Sequence, residues 1–290
     1  MPRTVDEGFR DFLKKLTPSS VETDAAKRHR ASIEACLKSN FGMNRFIRIG
    51  SFGNGTSISG YSDVDYLASL PADRLYRSSS YSLTKVRDVL NARFPNTGVR
   101  VSCPAVTVPF GTKKSEAHEI VPAYYVKDNN EFKIYGIADC ADSWMNACPD
   151  AHNAYVKSVD EKFNGKVKPL IRFIKAWKYY QNVPISSFYL ELRVAKYASG
   201  ESSIIYEHDV KRVLCWLRDN NLPKIQDPMG ISGYIYPCKS DTAYNDAMSK
   251  LRTAATRSEK ARESADKGNI SDAFYWWNLL YNDQFPSYYY

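Results

Sequence analysis

Hydrophobic and polar positions follow two rhythms along the chain, and the change between them falls near residue 150. Before it, short β-type runs predominate. Arg45 to Ile49 alternates and reads as a strand, Asp63 to Leu70 as a second, Val99 to Phe110 and Ala117 to Tyr125 are β-rich, and Glu131 to Ile137 adds another. Helical stretches precede and interrupt them. One is capped by Asp6 and stops before Pro18, one runs from Ser19 or Ser20 to Asn40 with Gly42 as its stop signal, and one covers Ser82 to Phe94. SFGNGTSISGYS, rich in Gly and Ser, reads as a loop. After residue 150 the spacing becomes helical: Ala151–Phe163, Lys166–Gln181, Ser187–Ala198, Glu207–Asn220, Thr242–Lys267 and Ser271–Asn282. The pattern predicts an α+β chain, bilobed around a central cleft. A lobe of mixed sheet and helices spans residues 1–160, its N-terminal helices packing on both lobes. A helical lobe spans 161–290 and ends in a flexible tail or a docking element, Phe285-Pro-Ser-Tyr-Tyr-Tyr290.

Composition narrows this picture. The 290 residues suit one large domain or two lobes, and Lys plus Arg exceeds Asp plus Glu by 40 to 32, a net +8. That excess fits a polyanionic ligand such as a nucleotide or nucleic acid, and equally a generic basic surface. No run reaches the roughly 18 apolar residues that span a bilayer. The acidic residues near the N-terminus argue against a secretion signal, so a cytoplasmic protein is expected. Cys36, Cys103, Cys140, Cys148, Cys215 and Cys238 form no CxxC and read as free, mostly buried thiols, with Cys140, Cys148 and His152 as a remote zinc set.

The most informative segment runs from Ile49 to Asp65. A strand enters Gly50-Ser51, eleven residues follow, and then come Asp63 and Asp65 at i and i+2. Alternate strand residues share a face, so the two carboxylates point the same way. Adjacent carboxylates repel unless a cation lies between them, and Mg²⁺ takes a few carboxylate oxygens plus substrate phosphates. Gly50 lets backbone approach a phosphate and Ser51 adds a hydroxyl donor. A two-metal site needs a third carboxylate, and Glu119 in His118-Glu-Ile-Val-Pro-Ala-Tyr124 is the best candidate, on a β-like run able to lie beside the Asp63–Asp65 strand. Taken alone, SDVD would read as turn-capping aspartates, and Glu119 as a solvated strand residue.

Gly-Ser, a spacer of this length and Asp-x-Asp resemble the signature of polymerase-β-type nucleotidyltransferases. The fuller form, Gly50-Ser51, Gly55-Thr56-x-Ile58 and Ser62-Asp63-Val64-Asp65, resembles the CD-NTases, bacterial cyclic GMP–AMP synthase-like (DncV-like) enzymes of anti-phage signalling. HEIVPAY is similar to the stretch that follows the third metal carboxylate in oligoadenylate synthases and archaeal CCA-adding enzymes, although those relatives usually carry Asp where this chain has Glu119. The resemblance implies a polymerase-β-like catalytic lobe, two Mg²⁺ ions with Mn²⁺ as a substitute, metal ligation by Asp63, Asp65 and Glu119, and nucleotide contacts from Gly50, Ser51 and Thr56.

In the helical lobe, Lys168, Arg172 and Lys175 follow i, i+4, i+7 and line one helix face. That face can hold a triphosphate or be merely solvated. The next helix, from Ile185 to Lys196, is similar to one in the same families where a Ser meets the triphosphate and an aromatic stacks on the base. Ser187 then becomes the phosphate contact and Phe188 or Tyr189 the base platform; helix capping and core packing are the competing roles. The expected function is synthesis of a cyclic di- or trinucleotide second messenger from nucleoside triphosphates. A downstream effector would receive it and a regulatory protein could meet the C-terminal tail, with no membrane and no obligatory nucleic acid. RNA tailing, CCA addition and oligoadenylate synthesis are the alternatives. Tailing would normally require an additional RNA-binding domain, for which little chain remains.

Overall fold

The computed structural model describes residues 2–18, 20–61, 64–111, 116–129, 131–231 and 233–289. In chain order it contains α1 (Val5–Leu16), α2 (Ser20–Phe41), β1 (Arg45–Arg48), α3 (Gly50–Asn54), β2 (Val64–Ser69), α4 (Ser79–Arg93), β3 (Arg100–Ser102), β4 (Ala105–Phe110), β5 (Glu116–Asn129), β6 (Phe132–Ala138) and β7 (Trp144–Ala147). Then follow α5 (Pro149–Lys162), α6 (Val167–Tyr180), α7 (Ser187–Ala198), α8 (Tyr206–Asp219), the strand pair β8 (Ile225–Gln226) and β9 (Tyr234–Ile235), α9 (Asp241–Asp266) and α10 (Ile270–Leu280). The fold is α+β, as the two rhythms predict. Two compact units emerge: Pro18–Tyr155 with Met229–Gly233, and Met1–Thr17, Val156–Pro228 and Tyr234–Tyr290. The sequence reading kept residues 1–160 together, whereas α1 is grouped with the helical unit.

In the first unit the sheet runs β1-β2-β5-β4-β3, with β6 on β5 and β7 on β6. Only the β2–β5 pairing is parallel among these described strands. Alternation explains the two faces. Val64, Tyr66, Ala68, Val106, Val108 and Ile120 join Ile33 and Leu37 of α2 and Leu83, Val86 and Leu90 of α4 in one apolar cluster. Each valine, leucine or isoleucine among them contributes about 1.5–3 kcal/mol when removed from water. Leu67, Ala123 and Tyr135, with Ile47, Ile49 and Ile137 against them, form a smaller cluster.

Several local expectations are corrected. The first residues of SFGNGTSISGYS are not loop: Gly50–Asn54 forms a helical turn, closed by Gly55 at φ +68° and by the Thr56 N–H donating to the Ser51 carbonyl at 2.8 Å. Thr4, not Asp6, caps α1, in a reciprocal arrangement with Glu7. Cys103 and Cys140 are not free thiols but a disulfide. The register explains their meeting. β4 pairs with residues 116–120 of β5 and β6 with residues 123–129, on the edge away from β2. The chain entering β4 therefore meets the chain leaving β6.

In the helical unit, the α1 side chains Phe9 and Phe12 are fully buried and both pack on Phe173 of α6 and on Phe285; Phe9 also meets Trp277 of α10, and Phe12 meets Tyr281. The C-terminal tail is thus not a free segment as far as it is described. Phe285 is core, and the Tyr289 N–H donates to the Pro2 carbonyl at 3.0 Å. Among the described residues, no helix is long and apolar enough to cross a membrane.

Candidate active site

Asp65 lies on β2 and Glu119 on β5, and the parallel pairing makes them direct register partners. Residues opposite one another in a sheet share a face, so the two carboxylates emerge side by side. Both residues are half-buried, whereas their neighbours Val64, Tyr66, His118 and Ile120 are buried on the other face. Asp63 lies outside the described residues. Among the described residues no group of three or more His, Cys, Asp and Glu side chains forms a metal cluster. The zinc set of Cys140, Cys148 and His152 is therefore withdrawn; Cys140 is spent in the disulfide.

Gly50, the first residue of α3, lies just beyond β1 and beside Asp65. The Ile49 N–H donates to the Asp65 carbonyl at 2.9 Å, which brings the Gly50 backbone over the Asp65 side chain. A Cβ at Gly50 would sit 2.0 Å from Asp65 Oδ2, and Gly50 has φ +58°. No other residue type fits both the space and the backbone angle. Ser51 is buried beside it. Thr56 is fully buried and its hydroxyl lies 3.4 Å from the Ser51 carbonyl, so it braces the turn that carries Ser51.

The basic stripe of α6 is rearranged relative to the sequence reading. Lys175 does not face solvent; it is fully buried, and its ammonium donates to Glu191 Oε1 of α7 at 2.7 Å. The i, i+4, i+7 pattern fixed a common face but could not show that the core reaches it. Lys168 Nζ lies 3.8 Å from Asp160 Oδ2, while Asp160 Oδ1 accepts the backbone N–H groups of Val167 and Lys168 at 2.9 Å each. Arg172 is half-buried, and burial pushes its guanidinium below the usual range against the opposing pull of Asp160.

Lys178 lies one turn beyond Lys175, outside the stripe that the spacing predicts. Its ammonium donates to Ser187 Oγ at 2.6 Å, and the Tyr179 hydroxyl lies 3.1 Å from the same oxygen. Ser187 is not the cap of α7. Ser186 takes that role by accepting from the Tyr189 N–H, which leaves the Ser187 hydroxyl to the Lys178 cluster. Phe188 and Tyr189 differ in burial. Phe188 is 37% exposed, while Tyr189 is fully buried, donates to the Pro223 carbonyl at 2.7 Å and has its phenol pushed up to about 12 by burial.

The profile of the Second Messenger Oligonucleotide or Dinucleotide Synthetase (SMODS) domain matches residues 3–160, more than half of the chain. The chain belongs to this family. Its members are the CD-NTases that the Gly-Ser and Asp-x-Asp motif resembled, and membership makes the chain a nucleotidyltransferase that synthesises a cyclic nucleotide second messenger. A probable cyclic nucleotide synthase of Bacillus cereus (strain VD146) is 24% identical to this CD-NTase over 99% of each chain. Among solved structures, Escherichia coli MS115-1 CdnC with ATP has a similar fold, with TM-score 0.75 and 18% identity over 97% of this chain and 98% of that one. So does a loop-deletion mutant of the Vibrio cholerae di-nucleotide cyclase DncV, with TM-score 0.74 and 13% identity over 98% and 97%. CdnC is also similar in its complex with HORMA-deltaN, at TM-score 0.73, 18% identity, and 97% and 98% coverage.

Proposed function

We infer that this CD-NTase joins nucleoside triphosphates into a cyclic di- or trinucleotide in a reaction dependent on two divalent ions, Mg²⁺ with Mn²⁺ as a substitute, and that Asp63, Asp65 and Glu119 hold them. The observation carrying this reading is the lateral pairing of Asp65 with Glu119 beneath a glycine whose Cβ would overlap the Asp65 carboxylate. Two oxygen donors side by side, with backbone pressed against one of them, suit a hard cation that keeps room for phosphate oxygens. When bound, the ions would neutralise charge on the leaving pyrophosphate and raise the acidity of the attacking 2′- or 3′-hydroxyl. Gly50 and Ser51 would lie against phosphate; Lys178 and Ser187 would bind phosphate oxygens by charge-assisted hydrogen bonds; Phe188 would stack on a base.

The chain is proposed to work in the bacterial cytoplasm in anti-phage signalling, passing its product to a downstream effector. By analogy with the HORMA complex of CdnC, a regulatory protein is a further proposed partner, and its docking would not use the buried Phe285. Incubating the purified protein with the four NTPs and Mg²⁺, without RNA, tests the reading. Phosphatase-resistant cyclic products are expected, with activity nearly independent of salt between about 50 and 200 mM because few phosphates are neutralised. Strict dependence on an RNA primer, with a steep salt response, would overturn it in favour of tailing.

A further inference from the structure

The row that carries Asp65 and Glu119 continues one strand further. On β4, Thr107 is the register partner of Glu119, so Asp65, Glu119 and Thr107 stand in line across three neighbouring strands and on one face. Thr107 is 1% exposed, and its hydroxyl oxygen is buried with no hydrogen-bond partner within the protein. The residues on either side of it, Val106 and Val108, belong to the apolar cluster on the opposite face. A buried hydroxyl left without a partner costs about 1–3 kcal/mol. Valine has nearly the same shape and suits a strand as well, without that cost. The hydroxyl therefore calls for a role that valine could not fill.

Glu119 supplies it. Directly opposed strand residues have Cβ atoms about 4.5–5.5 Å apart, which places a threonine hydroxyl within reach of a glutamate carboxylate. A glutamate has one more rotatable bond than an aspartate, so its carboxylate takes more restraint to present a fixed oxygen. Carboxylates that ligate metal are characteristically held by a hydrogen bond to the oxygen that does not face the ion.

We propose that Thr107 is a positioning residue for Glu119: its hydroxyl, which meets no partner in this structure, donates to the Glu119 carboxylate when that carboxylate turns to a divalent ion beside Asp65, and so fixes its rotamer. This rests on the reading of Glu119 as a ligand of the divalent ion, and the test separates the two. Thr107→Val, Thr107→Ser and Glu119→Gln are compared in four measurements: thermal unfolding of the metal-free protein, Mn²⁺ binding by electron paramagnetic resonance, kcat, and KM for NTP. Thr107→Val should retain or raise the unfolding temperature, weaken Mn²⁺ binding and lower kcat by roughly tenfold each, within the range for residues supporting a ligand, and leave KM unchanged. Thr107→Ser should restore both Mn²⁺ affinity and kcat. A fully active Thr107→Val beside an inactive Glu119→Gln would overturn the positioning role and leave the Glu119 reading standing. A fall in unfolding temperature that accounts for the lost activity, or no rescue by serine, would also overturn it. A fully active Glu119→Gln would remove the Glu119 reading, and this inference with it.

Discussion

The sheet of the first unit and helix α6 hold their charged residues in opposite ways. On the sheet, Asp65 and Glu119 are brought together by strand register and remain half-buried at one face. On α6, the last cation of the stripe, Lys175, is withdrawn from solvent and neutralised by Glu191. Lys178, which the stripe omitted, meets Ser187 one turn further on. Like charges are gathered at one face of the sheet, whereas opposite charges are locked between two helices. A charged residue's place in a pattern thus says less about its role than what balances it.

Removing charge from the sheet should have the largest effect. Asp65→Asn is expected to lower product formation by about a thousandfold or more, since metal-based charge stabilisation is worth several kcal/mol. Its unfolding temperature should stay near that of the wild type, measured side by side with turnover. Gly50→Ala sharpens the same point through the backbone. Its methyl would overlap Asp65 Oδ2 in a left-handed conformation costing about 1–3 kcal/mol, so both activity and stability should fall. Wild-type turnover in Gly50→Ala would mean that Asp65 need not keep its observed place.

The helical side predicts the reverse division. Lys175→Met removes the ammonium that faces the buried Glu191 carboxylate, and should destabilise the protein by about 3–5 kcal/mol in chemical denaturation. Lys175→Met combined with Glu191→Leu should recover most of that loss. Lys178→Ala should spare stability and raise KM for NTP by roughly tenfold, as expected for one lost hydrogen bond to a charged group. If Lys175→Met raised KM without destabilising, and Lys178→Ala did nothing, the two lysines would have to exchange roles. The smallest effect is expected at Phe188. Phe188→Ala should weaken nucleotide binding several-fold and Phe188→Trp should restore it, in a fluorescence titration.

What the sequence disclosed divides along the same line. The sheet was legible because a period of two leaves little freedom: once Asp65 and Glu119 were placed on strands, only their register was missing, and the parallel pairing supplied it. The six helices after residue 150 were legible from spacing. On α6, though, Val167, Leu170, Ile171, Ile174 and Trp177 are all buried, an apolar arc wide enough to enclose Lys175. No spacing rule marks where such an arc ends. The Cys103–Cys140 pairing was invisible for another reason: it depends on β4 and β6 sharing one edge of β5, a long-range property of the topology. The tail misled by composition. Three tyrosines after Pro286 and Ser287 suggest a loose end, yet the residue that anchors it is Phe285, which fits among rings from α1 and α10. Thr107 carried no sequence signal at all, because an unpartnered hydroxyl is recognisable only once its surroundings are known.

The central claim is that the paired carboxylates of β2 and β5 hold divalent ions for nucleotidyl transfer. Crystals grown with Mn²⁺ and a non-hydrolysable ATP analogue test it most directly, through the anomalous scattering of manganese. The account predicts manganese at the Asp65–Glu119 pair, ligated by both carboxylates and by phosphate oxygens of the analogue. Clear density for the analogue, with manganese bound to neither Asp65 nor Glu119, would contradict it.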